Sequence, residues 1–203
     1  EWFREIERWI ENPKPENVLN ISIFFDFRMV FGSEYLYEEL KEFVKKSIKT
    51  SKTFLPFLAS EAVKFKPPLN LFKQFVVEKT GENKGKIDIK KHGIFPIVQG
   101  IRVLSLENEI FETNTYERIK ILSTRNVFGE KFAKDLEDTY RFLMNIRLKS
   151  QASQINQGKD PSNFIDPETL SKAESHLLRD AFKVIEEFQD FLYEKYNLRY
   201  FVQ

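Results

Sequence analysis

Two long stretches with helical periodicity in the C-terminal part of the sequence limit the fold more than any other feature. The first, residues 129–157, would form a helix of about 40 Å at 1.5 Å per residue, and Gly158 follows it as a typical C-terminal cap. The second begins at Asp166-Pro167, a typical helix start, and has a wide apolar stripe that extends to Leu192. Such helices pair antiparallel, so the sequence predicts an up-and-down helical bundle.

Shorter elements precede the two long helices. In order, they are helix 54–66, a β-hairpin of residues 72–78 and 86–90, helix 94–108 and a helix that begins at Asn114. Asn114 is interpreted as a helix cap in preference to a ligand-binding residue, because Glu117 follows it in the capping-box pattern. Residues 51–203 therefore form one mainly α domain, a helical bundle with a small β-hairpin.

The first 50 residues have a different pattern. Residues 2–11 and 35–49 indicate helices, whereas residues 21–28 indicate a buried strand, since β-branched and aromatic residues form a nearly continuous apolar run. On a strand, Asp26 and Arg28 share one face. A carboxylate in such a run needs a metal ion, a cation or solvent, because burying it unpaired is unfavourable. Asp26 is thus a metal-site carboxylate, a structural partner of Arg28, or a strand-end residue at the surface.

Composition and charge exclude several classes of function. The 32 basic and 31 acidic residues give a net charge of +1, whereas a nucleic-acid-binding protein usually has a basic excess that neutralises phosphates. The sequence has no cysteine and two widely separated histidines, His92 and His176, so thiolate and histidine metal sites are not expected. No apolar run approaches the ~18 residues of a membrane span. We expect a cytoplasmic protein that binds neither nucleic acid nor membrane.

The first long helix changes character near its end. Its apolar stripe, which includes Phe132 and Leu143, is continued by Arg147, Gln151 and Gln154. Charged groups that face inward need partners. One interpretation is a ligand pocket that receives phosphate or acidic protein groups, formed by Lys90, Arg102, Arg118, Arg147 and Gln151. The alternatives are an internal salt-bridge network with Asp88, or a helix end that has left the core.

An ordered set of motifs along most of the chain resembles one family. The motifs are Ile23-Phe24-Phe25-Asp26-Phe27-Arg28 with Gly32, Pro67-Pro68-Leu69, Asp88-Ile89-Lys90 with Gly93 and Pro96, Arg102, Asn114-Thr115 with Arg118, Arg147-Leu148 with Gln151, and Pro161 with Asn163, Asp166, Pro167 and Leu170. Residues 1–50 resemble the end of a nucleotidyltransferase domain of bacterial signalling proteins, similar to the uridylyltransferase that modifies the PII protein. Residues 51–203 resemble the helical substrate-binding domain that follows it.

The resemblance implies a fold, a site and partners. The fold is mainly α, a helical bundle with a small β-hairpin, preceded by a strand-plus-helix remnant of an α/β nucleotidyltransferase domain. Asp26 is implied as a catalytic, Mg²⁺-binding carboxylate of the intact parent. The implied substrate-binding residues are Arg28, Lys90, Arg102, Asn114, Arg118, Arg147 and Gln151. The implied partners are the upstream transferase core and cyclic-nucleotide-binding or CBS modules, with a protein acceptor and a second copy of the chain as further candidates.

One departure from the family pattern bears on activity. Nucleotidyltransferases of this fold use Gly-Ser followed about ten residues later by Asp-x-Asp, whose carboxylates hold a divalent metal. The only Gly-Ser here, Gly32-Ser33, follows the expected last strand, and Asp-x-Asp does not occur. We therefore expect this chain, as the C-terminal part of a longer protein, to hold no metal and to transfer no nucleotide by itself.

The leading hypothesis is a substrate-binding or regulatory domain of a signal-transduction nucleotidyltransferase. The alternative is an interaction module. The chain has 21 phenylalanines, and a Phe-rich surface could dock neighbouring domains or a second copy. A large exposed apolar patch would favour the interaction module, and a cleft near Arg147 and Lys90 would favour ligand binding.

Overall fold

The computed structural model describes residues 2–14 and 18–201, and these residues are mostly helical. The α-helices are α1 (Trp2–Glu11), α2 (Val18–Phe24), α3 (Glu34–Thr50), α4 (Phe54–Val63), α5 (Phe95–Glu107), α6 (Thr115–Thr124), α7 (Glu130–Asn156) and α8 (Lys172–Lys195). Two short strands, β1 (Ile87–Asp88) and β2 (Phe164–Ile165), form an antiparallel sheet. The predicted class, a helical bundle with a small antiparallel sheet, is confirmed. None of the helices in the described ranges has the length and apolar character needed to cross a membrane.

The two long helices α7 and α8 pair antiparallel, as predicted. At one end, the Phe132 ring lies 6.3 Å from that of Phe188, so the start of α7 meets the end of α8. At the other end, Lys149 donates to Glu174 at 2.6 Å. Helix α8 begins at Lys172 instead of Asp166, because Ser171 and Glu174 form a reciprocal capping box.

Helix α5 is the centre of the core. It packs against α4, α6 and α8, and it is buried on nearly all sides. Gly100 lies where α5 packs tightly against α8, since a Cβ there would be 2.5 Å from Phe188 Cε1 and 2.6 Å from Leu192 Cδ1. The absence of a side chain at this position therefore allows the two helices to approach.

The small sheet has a partner that the local pattern does not indicate. The turn around Gly81 and Gly85 is closed as predicted, since the Glu78 N–H donates to the Lys86 carbonyl oxygen at 2.9 Å. However, Ile87 is paired with Ile165 of β2, far along the chain, and not with residues 72–78. The sheet thus joins the segment before α5 to the segment between α7 and α8.

The predicted strand at residues 21–28 is wrong. Residues up to Phe24 belong to α2, and a turn follows, in which the Asp26 N–H donates to the Ile23 carbonyl oxygen at 3.2 Å. Ile21 and Phe25 are buried four residues apart, which is helical spacing. A short apolar run does not distinguish a buried strand from a buried helix, and this explains the error.

Residues before α4 pack onto the bundle. Ser51 donates to the Ile10 carbonyl oxygen at 3.1 Å, and this bond ties α1 to the end of α3. The Phe25 ring lies 5.5 Å from that of Phe54 at the start of α4. These contacts place α1 beside the end of α3 and the turn after α2 beside the start of α4.

Candidate functional site

Three charged side chains from different parts of the chain meet at the turn after α2. Asp26 lies in this turn, Arg102 on α5 and Arg118 on α6. Asp26 Oδ2 accepts from Arg102 Nε at 3.0 Å and Nη2 at 2.5 Å, and Oδ1 accepts from Arg118 Nη2 at 2.6 Å. We call these three residues the Asp26 cluster. Each carboxylate oxygen is thus held by a different guanidinium group.

The exposure of the side chains increases across the Asp26 cluster, from a buried side to a side that solvent can reach. The Arg118 side chain is 2% exposed, that of Arg102 12% and that of Asp26 27%. Burial of a charge is unfavourable unless an opposite charge and hydrogen bonds compensate it. The two guanidinium groups provide this compensation for Asp26, and Asp26 provides it for them.

The pKa values reflect this balance. Burial acts to raise the pKa of Asp26, but hydrogen bonds and charge from Arg102, and charge from Arg118, outweigh it, so the net pKa is lowered. Burial lowers the pKa of Arg118, and the attraction of Asp26 only partly offsets this effect. Asp26 is therefore ionised at neutral pH, and its negative charge stabilises the charged form of the buried Arg118.

Both arginines have a second partner within the bundle. Arg102 Nη1 donates to Gln99 Oε1 at 2.6 Å, and the buried Gln99 in turn donates to the Leu58 carbonyl oxygen at 3.3 Å. Arg118 Nε donates to the Glu112 carbonyl oxygen. The orientation of each guanidinium group is therefore set on the bundle side as well as by Asp26.

Asn114 positions Arg118 indirectly. Its side-chain oxygen caps α6 by accepting from the N–H groups of Tyr116 at 2.9 Å and Glu117 at 3.3 Å. Arg118 is in the first turn of this helix, and its N–H donates to the Asn114 carbonyl oxygen. The cap interpretation of Asn114 is confirmed.

The structure separates the other predicted residues from the Asp26 cluster. Arg28 is exposed, and the predicted structural pair of Asp26 with Arg28 is replaced by the pairs with Arg102 and Arg118. Arg147 Nε donates to Asn163 Oδ1 at 2.8 Å, while the Asn163 carbonyl oxygen accepts from the Ile89 N–H. Arg147 thus braces the segment beside the small sheet.

Lys90, Gln151 and Asp88 also lie outside the Asp26 cluster. Lys90 is exposed in a π-helical turn before α5, and Gln151 is half-buried on α7. Asp88 accepts from the Lys91 N–H of that turn at 3.0 Å, which differs from the alternative of an internal salt-bridge network with Asp88. The five residues of the single predicted pocket are therefore not brought together, and only Arg102 and Arg118 share a site.

A cleft of about 690 Å³ lies at the end of α7, between the start of α8 and the loop that contains β2. Gln154 fixes the loop, because its side-chain oxygen accepts from the Ser162 N–H at 2.6 Å. Lys149 and Glu174 line the cleft, and hydrogen bonds from Lys149 and Ser171 lower the pKa of Glu174 to about 2. The volume suits a small molecule, but these two lining charges already satisfy each other.

Sequence reasoning missed the groups that orient the arginines. Gln99 lies three residues before Arg102 on one helix face, and this spacing could have indicated the contact. The Glu112 carbonyl oxygen belongs to the backbone, so no side-chain pattern reveals it. The Gln99 side chain and the Glu112 carbonyl oxygen orient the guanidinium groups of Arg102 and Arg118, respectively.

The Asp26 cluster does not have the composition of a metal site. Both carboxylate oxygens of Asp26 accept from guanidinium groups, whose positive charge repels a divalent cation. Within residues 2–14 and 18–201, no group of three or more His, Cys, Asp or Glu side chains could hold a metal ion. Mg²⁺ binding at Asp26 stays a prediction for a parent protein that brings further carboxylates.

Comparison with known proteins identifies one family. A family model described as "Putative nucleotidyltransferase substrate binding domain" matches residues 52–196. The match includes Arg102, Arg118 and Arg147 and does not include Asp26. Neither the curated proteins nor the solved structures gave a match.

Proposed function

Since the chain belongs to the nucleotidyltransferase substrate binding domain family, we propose that its bundle binds an anionic group of a substrate for an associated nucleotidyltransferase. The parent protein would transfer a nucleotidyl group from a nucleoside triphosphate to a protein or small acceptor. We place it in the cytoplasm of bacteria, in signal transduction, with chemistry similar to PII uridylylation. Its partners would be the upstream transferase core and cyclic-nucleotide-binding or CBS modules.

The observation that carries this proposal is the convergence of Arg102 and Arg118 on one carboxylate. Both arginines lie in the part of the chain that matches the family, whereas the carboxylate comes from outside it. A guanidinium fork fits carboxylate and phosphate oxygens with two parallel hydrogen bonds. Arg102 and Arg118 therefore form an anion-binding site of the bundle, which we call the seat. The segment that precedes the bundle supplies the anion.

The location of the seat supports a role beside a transferase site. Asp26 resembles a metal-binding carboxylate of the transferase domain, and it touches Arg102 and Arg118 directly. In the parent, these cations would lie next to the bound triphosphate or the acidic acceptor. Metal, if bound there, would come with the transferase core, and this chain's own residues would orient the anionic group.

The test is a substitution in the protein that carries the transferase core. Arg102→Gln removes one charge, and we expect about 10- to 100-fold weaker binding of the anionic substrate, since a hydrogen bond to a charged group contributes about 1.5–3 kcal/mol. Isothermal titration calorimetry would measure the Kd. Arg141→Gln is the matched control, because Arg141 is an exposed arginine paired with Glu137. Unchanged substrate affinity in a folded Arg102→Gln protein would refute the proposal.

A second candidate, an interaction module, is favoured by an exposed apolar segment. The residues between α2 and the first turn of α3 include Phe31, which is 98% exposed, and the exposed side chains of Met29, Val30, Tyr35 and Leu36. Contiguous exposed apolar groups mark protein interfaces. If this function holds, the chain self-associates in sedimentation analysis and Phe31→Ser dissociates it, whereas Phe72→Ser, at an exposed turn elsewhere, has no effect. A monomer at high concentration would exclude self-association.

A further inference from the structure

We propose that Asp26 is an internal ligand in a phosphate-binding seat formed by Arg102 and Arg118, and that phosphate and Asp26 exclude each other there. The inference rests on the proposed function and names both the ligand class and the group that competes with it. The probe ligand is inorganic phosphate, and the phosphoryl groups of a nucleotide or a phosphorylated acceptor share its chemistry.

The seat is preformed by groups other than Asp26. Gln99 holds Arg102 through Nη1, and the Glu112 carbonyl oxygen holds Arg118 through Nε. Gln99 is itself buried and bonded to the backbone of α4. Removal of the carboxylate therefore leaves both forks pointing at the same position, which favours binding because little reorganisation is needed.

The seat needs an anion. Arg118 is among the largest fully buried side chains, and Arg102 is mostly buried next to it. Two neighbouring cations without an anion would leave an uncompensated buried charge, which destabilises a fold. An anion that replaces Asp26 would therefore be bound with a favourable electrostatic contribution.

The geometry suits a tetrahedral oxyanion. The two oxygens of Asp26 accept three N–H groups, from Arg102 Nε and Nη2 and from Arg118 Nη2. A guanidinium group carries five N–H donors, and phosphate has more acceptor oxygens than a carboxylate. Phosphate can accept from the same three N–H groups and keep an oxygen for solvent.

An entry path exists on the Asp26 side. The Asp26 side chain is 27% exposed, while Arg118 forms the closed end of the seat. Asp26 is attached through a turn that follows the seven-residue helix α2, and it lies outside the family-matched region. A ligand can thus approach from solvent and take the place of the carboxylate without opening the bundle.

The experiment compares the chain with its Asp26→Ala variant in buffers of equal ionic strength. We expect Asp26→Ala to have a lower melting temperature in chloride and to regain it in phosphate, while the wild-type chain does not respond. Titration calorimetry should give one phosphate per Asp26→Ala chain, bound at least about tenfold more tightly than by the wild type, in which Asp26 competes. Acetate is tested in parallel with phosphate. Recovery of the melting temperature with acetate but not with phosphate would show that the seat binds only carboxylates, and this would overturn the proposal.

Two further variants keep the result decisive. Asp26→Ala with Arg118→Met should lose the phosphate response, and retention of the response would place the phosphate elsewhere and overturn the inference. If Asp26→Ala does not fold in chloride, the near-isosteric Asp26→Asn is used instead, and a rise of its melting temperature on addition of phosphate is the expected result. A folded variant with no phosphate response overturns the inference. In that case the Arg102→Gln measurement in the parent protein still tests the proposed function separately.

Discussion

At the scale of single residues, Arg118 explains why an acidic residue outside the family-matched region is tied to the bundle. A 2% exposed guanidinium group cannot rely on solvent, so its charge is balanced by Asp26 at 2.6 Å and by the Glu112 carbonyl oxygen. The pair is consequently asymmetric. Loss of Asp26 leaves a buried cation, whereas an exposed ion pair on the same molecule loses only a solvent-screened attraction.

This asymmetry predicts the effect of Asp26→Asn on stability. The substitution keeps the shape of the side chain and removes its charge, so we expect the free energy of unfolding to fall by about 3 kcal/mol at pH 7. Asp138→Asn is the control, because Asp138 pairs with Lys134 on an exposed face, and it should cost less than about 1 kcal/mol. Urea denaturation measures both. Equal effects for the two variants would mean that the Asp26 cluster contributes no more than a surface pair.

The lowered pKa of Asp26 also predicts a pH dependence. A carboxyl whose pKa is lower in the folded state contributes stability that is present above its unfolded pKa of about 3.9 and is lost as the pH falls through the folded value. The difference in unfolding free energy between the wild type and Asp26→Asn should therefore be constant near neutral pH and shrink below about pH 4. If this difference in unfolding free energy grew as the pH fell, it would contradict the conclusion that the ionised form of Asp26 stabilises the folded state.

At the scale of elements, the close approach of α5 and α8 depends on Gly100. A methyl group there would lie 2.5 Å from Phe188 Cε1, and real contacts at that distance are not tolerated without movement. We expect Gly100→Ala to lower the unfolding free energy by about 1–3 kcal/mol, because overpacking displaces side chains of the core. Gly93→Ala is the control and should lower the unfolding free energy less, since its Cβ would meet the flexible end of Leu143 at 3.2 Å. A more stable Gly100→Ala protein would contradict this account of the packing.

The elements also show what local pattern can predict. The long helices α7 and α8 were predictable because their apolar stripes extend over several turns, and Leu136 and Leu143 are indeed buried on the inner face. Helix α2 was mistaken for a strand, because seven residues give too little periodicity. The pairing of Ile87 with Ile165 depends on how α7 returns the chain, and no local signal reports it.

The candidate site was predictable to a similar degree. Arg102 and Arg118 were named from the sequence, and Asp26 was singled out as a carboxylate in an apolar run. Their meeting was not foreseen, because Asp26 is 76 residues from Arg102 and 92 from Arg118. Arg147 was grouped with them by residue type, although its partner is Asn163. Residue type suggests what a site can bind, whereas only the fold decides which residues share it.

At the scale of the whole molecule, the Asp26 cluster joins two parts of the chain that the sequence assigns to different domains. Besides the cluster, the described contacts between them include the Phe25–Phe54 and Phe27–Phe111 ring pairs and the Ser51–Ile10 hydrogen bond. Within the bundle, α5 packs on α4, α6 and α8, while buried residues of the first 50, such as Ile21 and Val44, belong to the same hydrophobic core. We predict that the first 50 residues open locally while the bundle stays folded.

Hydrogen exchange on the Asp26→Asn chain tests this arrangement. With the charge removed, we expect faster amide exchange in residues 18–28, because the turn after α2 loses its charge-assisted hydrogen bonds to the bundle. Exchange in Lys172–Lys195 should accelerate less than exchange in residues 18–28, because its contacts with α5 and α7 do not involve Asp26. Mass spectrometry of proteolytic fragments would resolve the two regions. A uniform acceleration would instead mean that both parts unfold as one cooperative unit, and Asp26 would then stabilise the whole chain instead of fastening its first 50 residues to the bundle.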